Sequence, residues 1–230
     1  MSRSSPCDGR NIPSTTPGNE QGAEITFLVR WARTEGGWRD LAGPPKEKIL
    51  ETGRLLIEPL QPWHAHLLYE NLTDERLYQF IPIDPPDSVD ALETRYRKLS
   101  SRRSPDGSEV WLNFAMRLRQ DGARKNAGYV GTLEATVYQN RSAYLAYTVF
   151  VPLWRRGYAR EGCGRLLRHL AEDYGTQVVT AEMDTRNAAS VSLAESLGFE
   201  RVGFTPDADH FKGSVSDEFR YELRADAILG

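Results

Sequence analysis

The amino-acid sequence predicts an α/β fold of the α+β kind: a mixed, mostly antiparallel twisted sheet flanked by helices. Three observations carry that reading. Apolar residues alternate over 110–119, where Val110, Leu112, Phe114, Met116 and Leu118 share one face, the period of a strand with one polar face. Two more strand patterns follow, over 128–138 and 143–151, set off by the turn sequences R-Q-D-G-A-R-K-N and Q-N-R-S, so neighbours connect as hairpins. The period then changes. Ala159, Cys163, Leu166, Leu167, Leu170 and Tyr174 recur at steps of three and four, one face of a helix.

Taken in order, residues 1–23 are rich in Ser, Thr, Pro, Gly and Asn, a composition that predicts a disordered tail. Ile25, Phe27, Val29 and Trp31 then alternate, and T-E-G-G leads to Trp38 and Leu41, which suggests a β-hairpin with a linker over 24–48. The main domain spans 49–230. R-L-L-I-E-P-L is its first strand, with Leu55 and Ile57 facing one way. Pro62 suits the first turn of a short helix, helical character continues over 71–80, and I-P-I-D-P-P stops it. Ser88 is an N-cap for a helix over 89–101 whose Leu92, Tyr96 and Leu99 share a face. After the helix that ends near Gly175, V-V-T-A-E-M is a strand, 188–197 is a short helix stopped by Gly198, and 199–204 and 218–223 are closing strands. Strand and helix do not alternate throughout, which excludes a doubly wound parallel sheet.

Composition narrows the function. Lys+Arg 29 against Asp+Glu 32 gives a formal net charge of −3, so nucleic acid and anionic membranes are not expected partners. Cys7 and Cys163 make neither a disulfide framework nor a metal-ligand spacing, and the four histidines show no zinc pattern. The apolar stretch 144–154 is too short to span a membrane. No secretory pattern opens the chain, so a reduced, cytoplasmic setting is expected.

The chemistry concentrates in V-F-V-P-L-W-R-R-G-Y-A-R-E, over 149–161. A strand feeds a basic turn that opens a helix, where unpaired N–H groups and the macrodipole favour an anion. Gly157 permits close backbone approach, and Arg155 and Arg156 add charge. The plain alternative is an ordinary strand–helix connection with two solvated arginines.

This stretch, with N-A-A-S followed by E-S-L-G-F about thirty residues on, and D-E-F-R-Y-E-L near the end, resembles the GNAT superfamily of N-acetyltransferases, in its RimJ/RimL-like branch. The resemblance covers about 50–223. It implies acetyl-CoA as co-substrate and an amine as acceptor, by direct attack without an acyl-enzyme, and is compatible with a homodimer. The family loop Gln/Arg-x-x-Gly-x-Gly/Ala maps onto Trp154, Arg155, Arg156, Gly157, Tyr158 and Ala159, with Trp in the first position. By resemblance, backbone over 155–159 holds the pyrophosphate, Arg160 is a further CoA contact, and Phe150 and Val151 present the strand end to the pantetheine arm. Asn187 would lie against that arm and Ser190 near the sulfur, while the residues themselves make Asn187 a helix cap.

Two family positions depart. A Tyr that protonates the leaving thiolate in many relatives is Ala194 here, which leaves Ser190, a water or no acid at all. A Glu frequent early in the branch's next strand is Tyr144. For the general base the carboxylates on core strands are Glu134, Glu182 and Asp184, with Glu134 first because it falls in the strand facing the acceptor in relatives. Tyr138, Tyr144 and Tyr147 could line an acceptor slot bordered by loops over 72–88 and 205–217, the second of them acidic. The two departures also leave open a CoA-binding sensor or scaffold on the same fold.

Overall fold

The computed structural model describes residues 48–119 and 128–229. The expected tail, the hairpin up to residue 47 and nearly all of the turn after Arg119 lie outside them. The elements are β1 (Leu50–Glu51), β2 (Leu55–Pro59), α1 (His64–Leu72), α2 (Val89–Leu99), β3 (Glu109–Leu118), β4 (Tyr129–Tyr138), β5 (Ser142–Val149), α3 (Tyr158–Tyr174), β6 (Val178–Asp184), α4 (Ala188–Ser196), β7 (Glu200–Phe211), β8 (Ser214–Arg224) and α5 (Ala225–Leu229). The strands form one sheet in the order β1-β2-β3-β4-β5-β6-β8-β7. β5 and β6 pair in parallel, and all other neighbours are antiparallel.

Strand alternation distributes the core over two faces. On one, Leu112, Phe114, Met116, Leu133, Ala135 and Val137 pack with Cys163, Leu166, Leu167 and Leu170 of α3. The approach is close, for a side chain at Gly162 would come within 2.6 Å of Met116 Sδ. On the other, Ala65, Leu68 and Leu72 of α1 join Leu92 and Tyr96 of α2 over Ala115 and Phe150. The face of β3 expected to be polar is therefore covered there, with Asn113 and Ala115 both buried. Fully burying one such Leu contributes about 1.5–3 kcal/mol.

Two elements differ from the sequence expectation. Helix α1 stops at Leu72, because the Asp74 side chain accepts the Arg76 N–H and opens a separate 3-10 turn over Glu75–Tyr78. Asp competes with helix geometry in this way. The stretch 205–217, expected as a loop, lies largely in strands: β7 and β8 run on to a two-residue turn at Lys212 (φ 50°) and Gly213 (φ 75°), the positive-φ pair of a tight hairpin. Register shifts between Thr205 and Asp209 obscure the alternation there.

The parallel ladder between β5 and β6 is short. It holds for Ser142–Val178, Ala143–Val179 and Tyr144–Thr180 and then stops. From Leu145 and Ala181 onward the two strands have no ladder partner on that side, and a gap opens toward the start of α3.

Candidate active site

The loop after β5 reaches the mouth of this gap. The strand ends at Val149, a 3-10 turn covers Val151–Leu153, and Trp154 Nε1 donates to the Val149 carbonyl at 2.6 Å. Arg155 (φ 59°) and Gly157 (φ 79°) then turn the chain in left-handed conformations, strained at Arg155 and natural at Gly157. Helix α3 starts without a side-chain cap, and its first hydrogen bond runs from Glu161 N–H to the Gly157 carbonyl. The earlier N–H groups, of Tyr158, Ala159 and Arg160, are left for an outside acceptor. Arg155, Arg156, Gly157 and Arg160 are exposed, while Tyr158 and Ala159 half-bury against the core. Arg160 also donates to the Ser196 carbonyl at 3.3 Å.

A brace that the sequence did not reveal holds this turn. Glu161 accepts from Thr52 Oγ1 (2.5 Å), Arg54 N–H (2.8 Å) and Arg54 Nε (2.6 Å). Arg54 also donates to the Arg156 carbonyl at 2.9 Å and lies over the Tyr158 ring. Burial pushes the Glu161 carboxyl up, but the hydrogen bonds from Thr52 and Arg54 outweigh it and hold the carboxyl below its ordinary range. Arg54 thus joins Arg155, Arg156 and Arg160 at the uncapped turn, with its own charge paired to Glu161. The site suits a multiply charged anion such as a pyrophosphate.

The wall of the gap is set by backbone parity. Phe150 N–H donates to the Val130 carbonyl, so Thr148 and Ala146 also turn their groups toward β4. In an antiparallel ladder the alternate residues Leu145, Tyr147 and Val149 point theirs away, toward the gap. Phe150, expected to face the pantetheine arm, instead buries its ring between α1, α2 and the sheet and has its N–H engaged; Val151 stands next to it in the 3-10 turn. The open N–H groups are those one and three residues earlier.

Inside the gap the lining is aliphatic or aromatic apart from Tyr147, Ser190 and the Cys163 thiol. Tyr147 Oη and Ser190 Oγ are 2.9 Å apart, bridging β5 to α4. Burial pushes the Tyr147 phenol up to about 12, and the Ser190 hydrogen bond only partly offsets it. Burial likewise raises the Cys163 thiol to about 12, which leaves it protonated and inert. Ala194 is buried and brings no donor. Asn187 caps α4, its side-chain oxygen accepting Ser190 N–H at 3.1 Å. A separate open cavity, lined by Gly198, Glu200, Glu222 and Arg224 among others, gathers none of these groups.

The opposite face of the sheet carries the carboxylates. Glu134 stands between Asn113 and Ala146 across the strands. Burial raises its carboxyl above the ordinary range, with Arg95 pulling the other way. Tyr78 and Tyr96 of the covering segments lie close enough to feel its charge. Glu182 meets Tyr144 Oη at 3.4 Å and Arg220 Nη1 at 3.3 Å. Asp184 is committed elsewhere: it accepts from the Arg186 N–H and guanidinium and from Ser216 Oγ. Those hydrogen bonds overcome the upward push of burial and lower its pKa, which suits structure and not proton abstraction.

The three tyrosines expected in one slot divide between faces. Tyr138 and Tyr144 pack edge to face with ring centroids 5.9 Å apart, on the Glu134 side. Tyr147 is on the other. Its separation of three from Tyr144 already required this, since strand side chains alternate. Segments 72–88 and 205–217 do meet, for Lys212 Nζ at the hairpin tip donates to the carbonyls of Tyr78 (2.6 Å) and Ile83 (3.0 Å). Among the described residues no helix is long and apolar enough to cross a membrane, and no cluster of His, Cys, Asp and Glu could hold a metal.

Comparison with known proteins bears on the fold. The acetyltransferase (GNAT) domain family matches residues 54–200. The chain is 19% identical over 175 residues to the uncharacterized N-acetyltransferase YoaA of Bacillus subtilis (strain 168), across 76% of this chain and 96% of that protein. It is similar to the structure of a GNAT-family acetyltransferase from Bacillus anthracis, with a TM-score of 0.64 and 17% identity over 78% of this chain and 99% of that one. It is similar also to spermidine N-acetyltransferase from Vibrio cholerae in complex with CoA and spermine, with a TM-score of 0.65 and 18% identity over 78% of this chain and 100% of the other. At these identities the solved structures speak for the fold.

Proposed function

The chain belongs to the GNAT acetyltransferase family, and from that premise we propose that it moves an acetyl group from acetyl-CoA to a primary amine. The observation that carries this reading is the coincidence of an uncapped, arginine-flanked helix start with a gap in the sheet that opens from it. Arg155, Arg156 and Arg160, with the backbone of Gly157, Tyr158 and Ala159, hold the pyrophosphate. The gap takes the pantetheine arm, with Tyr147 and Val149 offering N–H groups and Asn187 and Ser190 the α4 side. What acetyl-CoA supplies is an activated acetyl thioester, ready for attack without a covalent enzyme intermediate.

Glu134 is the general base. A carboxyl raised by burial works closer to neutrality than a solvated one, where a base is most effective. It lies on the side of the sheet away from α3, so the amine approaches from the α1/α2 face while the donor occupies the gap. Glu182 on the same face is held by Arg220 at 3.3 Å. The acceptor is a small-molecule amine or a protein N-terminus. The likeness to a spermidine N-acetyltransferase points the same way, as does a place in the RimJ/RimL-like branch. The catalytic domain is 49–230, working in the cytoplasm as a monomer or homodimer.

The first test is thermal stabilisation by acetyl-CoA. A specific ligand at about 100 times its Kd adds about 2.7 kcal/mol. An unchanged melting temperature at saturating acetyl-CoA contradicts the assignment.

A further inference from the structure

Cleavage of a thioester leaves negative charge on sulfur. A gap with aliphatic walls stabilises such a charge poorly, because an anion away from water needs hydrogen-bond donors. Beyond Ser190, α4 and its C-cap offer the lining Leu193, Ala194 and Leu197, none of which donates. The hydroxyls present are Tyr147 and Ser190, 2.9 Å apart. Two hydroxyls carry two protons and their mutual hydrogen bond uses one. The other is free to point into the gap, whichever residue donates.

We propose that the Tyr147–Ser190 hydroxyl pair holds the leaving thiolate by hydrogen bonding, in the place where α4 presents Ala194. The inference rests on the acetyl-CoA reading above. The amine lone pair forms the new N–C bond, the C–S bond breaks, and its electron pair goes to sulfur. The amine proton leaves through Glu134 on the other face. The pair donates a hydrogen bond and keeps its protons, because a phenol pushed up to about 12 gives up its proton far less readily than a thiol of about 8.5. Tyr147 contributes from β5 and Ser190 from α4, so the pair joins sheet and helix across the gap.

The test is calorimetric binding of CoA and of desulfo-CoA to the full chain at two pH values. One is near pH 7, where the CoA thiol is protonated. The other is a higher pH at which titration of free CoA shows the thiolate, an alkyl thiol being a weaker acid than cysteine at about 8.5. In the Y147F/S190A double variant, CoA at the higher pH should weaken about tenfold, the value of one hydrogen bond to a charged group. Desulfo-CoA should stay unchanged, which also reports that the variant is folded. Y147F alone should show the same selectivity at about threefold, since one hydroxyl remains. Equal weakening of both ligands, or no weakening of CoA, overturns the proposal. If the wild-type chain binds neither ligand, the acetyl-CoA reading itself falls, and the pair's assignment with it.

Discussion

Arg54 Nε lies 2.6 Å from Glu161 Oε2, so the turn between β1 and β2 is tied to the first turn of α3. The pair spans 107 residues of sequence. With Thr52 it fixes where the uncapped N–H groups of α3 point.

Removing the carboxylate in E161A leaves the exposed Arg54 N–H to water and the Thr52 hydroxyl with its 3.4 Å contact to the Leu55 carbonyl. The expected cost is about 0.5–1.5 kcal/mol in chemical denaturation, together with weaker acetyl-CoA binding by calorimetry. The carboxyl is held below its ordinary value of 4.5 in the fold. Its stabilisation is therefore complete above that value and is lost as pH falls through the lowered one. The wild-type advantage over E161A should shrink on acidification.

Glu134 behaves oppositely, because burial raises its carboxyl. A raised pKa means that the folded state favours the neutral acid. That contribution is present below pH 4.5 and is lost as pH rises through the raised value. E134Q should melt higher than wild type near neutrality and no higher in acid. In the same variant kcat/KM should fall by about 10²–10⁴-fold, and the acidic limb of its pH profile should disappear. A more stable, less active variant is the signature of a buried base.

Asp184 supplies the contrast on the neighbouring part of the face. Its oxygens hold Arg186 and Ser216, and the side chain is buried. D184N breaks a buried charged network, so its melting temperature should drop where that of E134Q rises. A kcat retained in the folded fraction of D184N would separate this structural role from catalysis.

Much of this was legible in the sequence because the relevant signals are local. The Gly157 turn, the α3 stripe and the Ser88 and Asn187 caps each depend on neighbours within a few residues. What the sequence did not show depends on register. The stop in the β5–β6 ladder after Tyr144 and Thr180, the engaged N–H of Phe150 and the brace from Arg54 to Glu161 join distant segments with no shared period. The β7–β8 hairpin was hidden for a different reason. Its tip is polar and irregular in register, so composition favours a loop while Lys212 and Gly213 supply the turn that extends the strands.

The most direct measurement is thiol release from acetyl-CoA across a panel of peptide N-termini, polyamines and small-molecule amines. Release should require an amine, saturate with acetyl-CoA and collapse in E134Q while calorimetric binding of acetyl-CoA persists. Release at the same rate in E134Q would contradict the assigned base. Acetyl-CoA binding with no release for any amine in the panel would contradict the acetyltransferase itself.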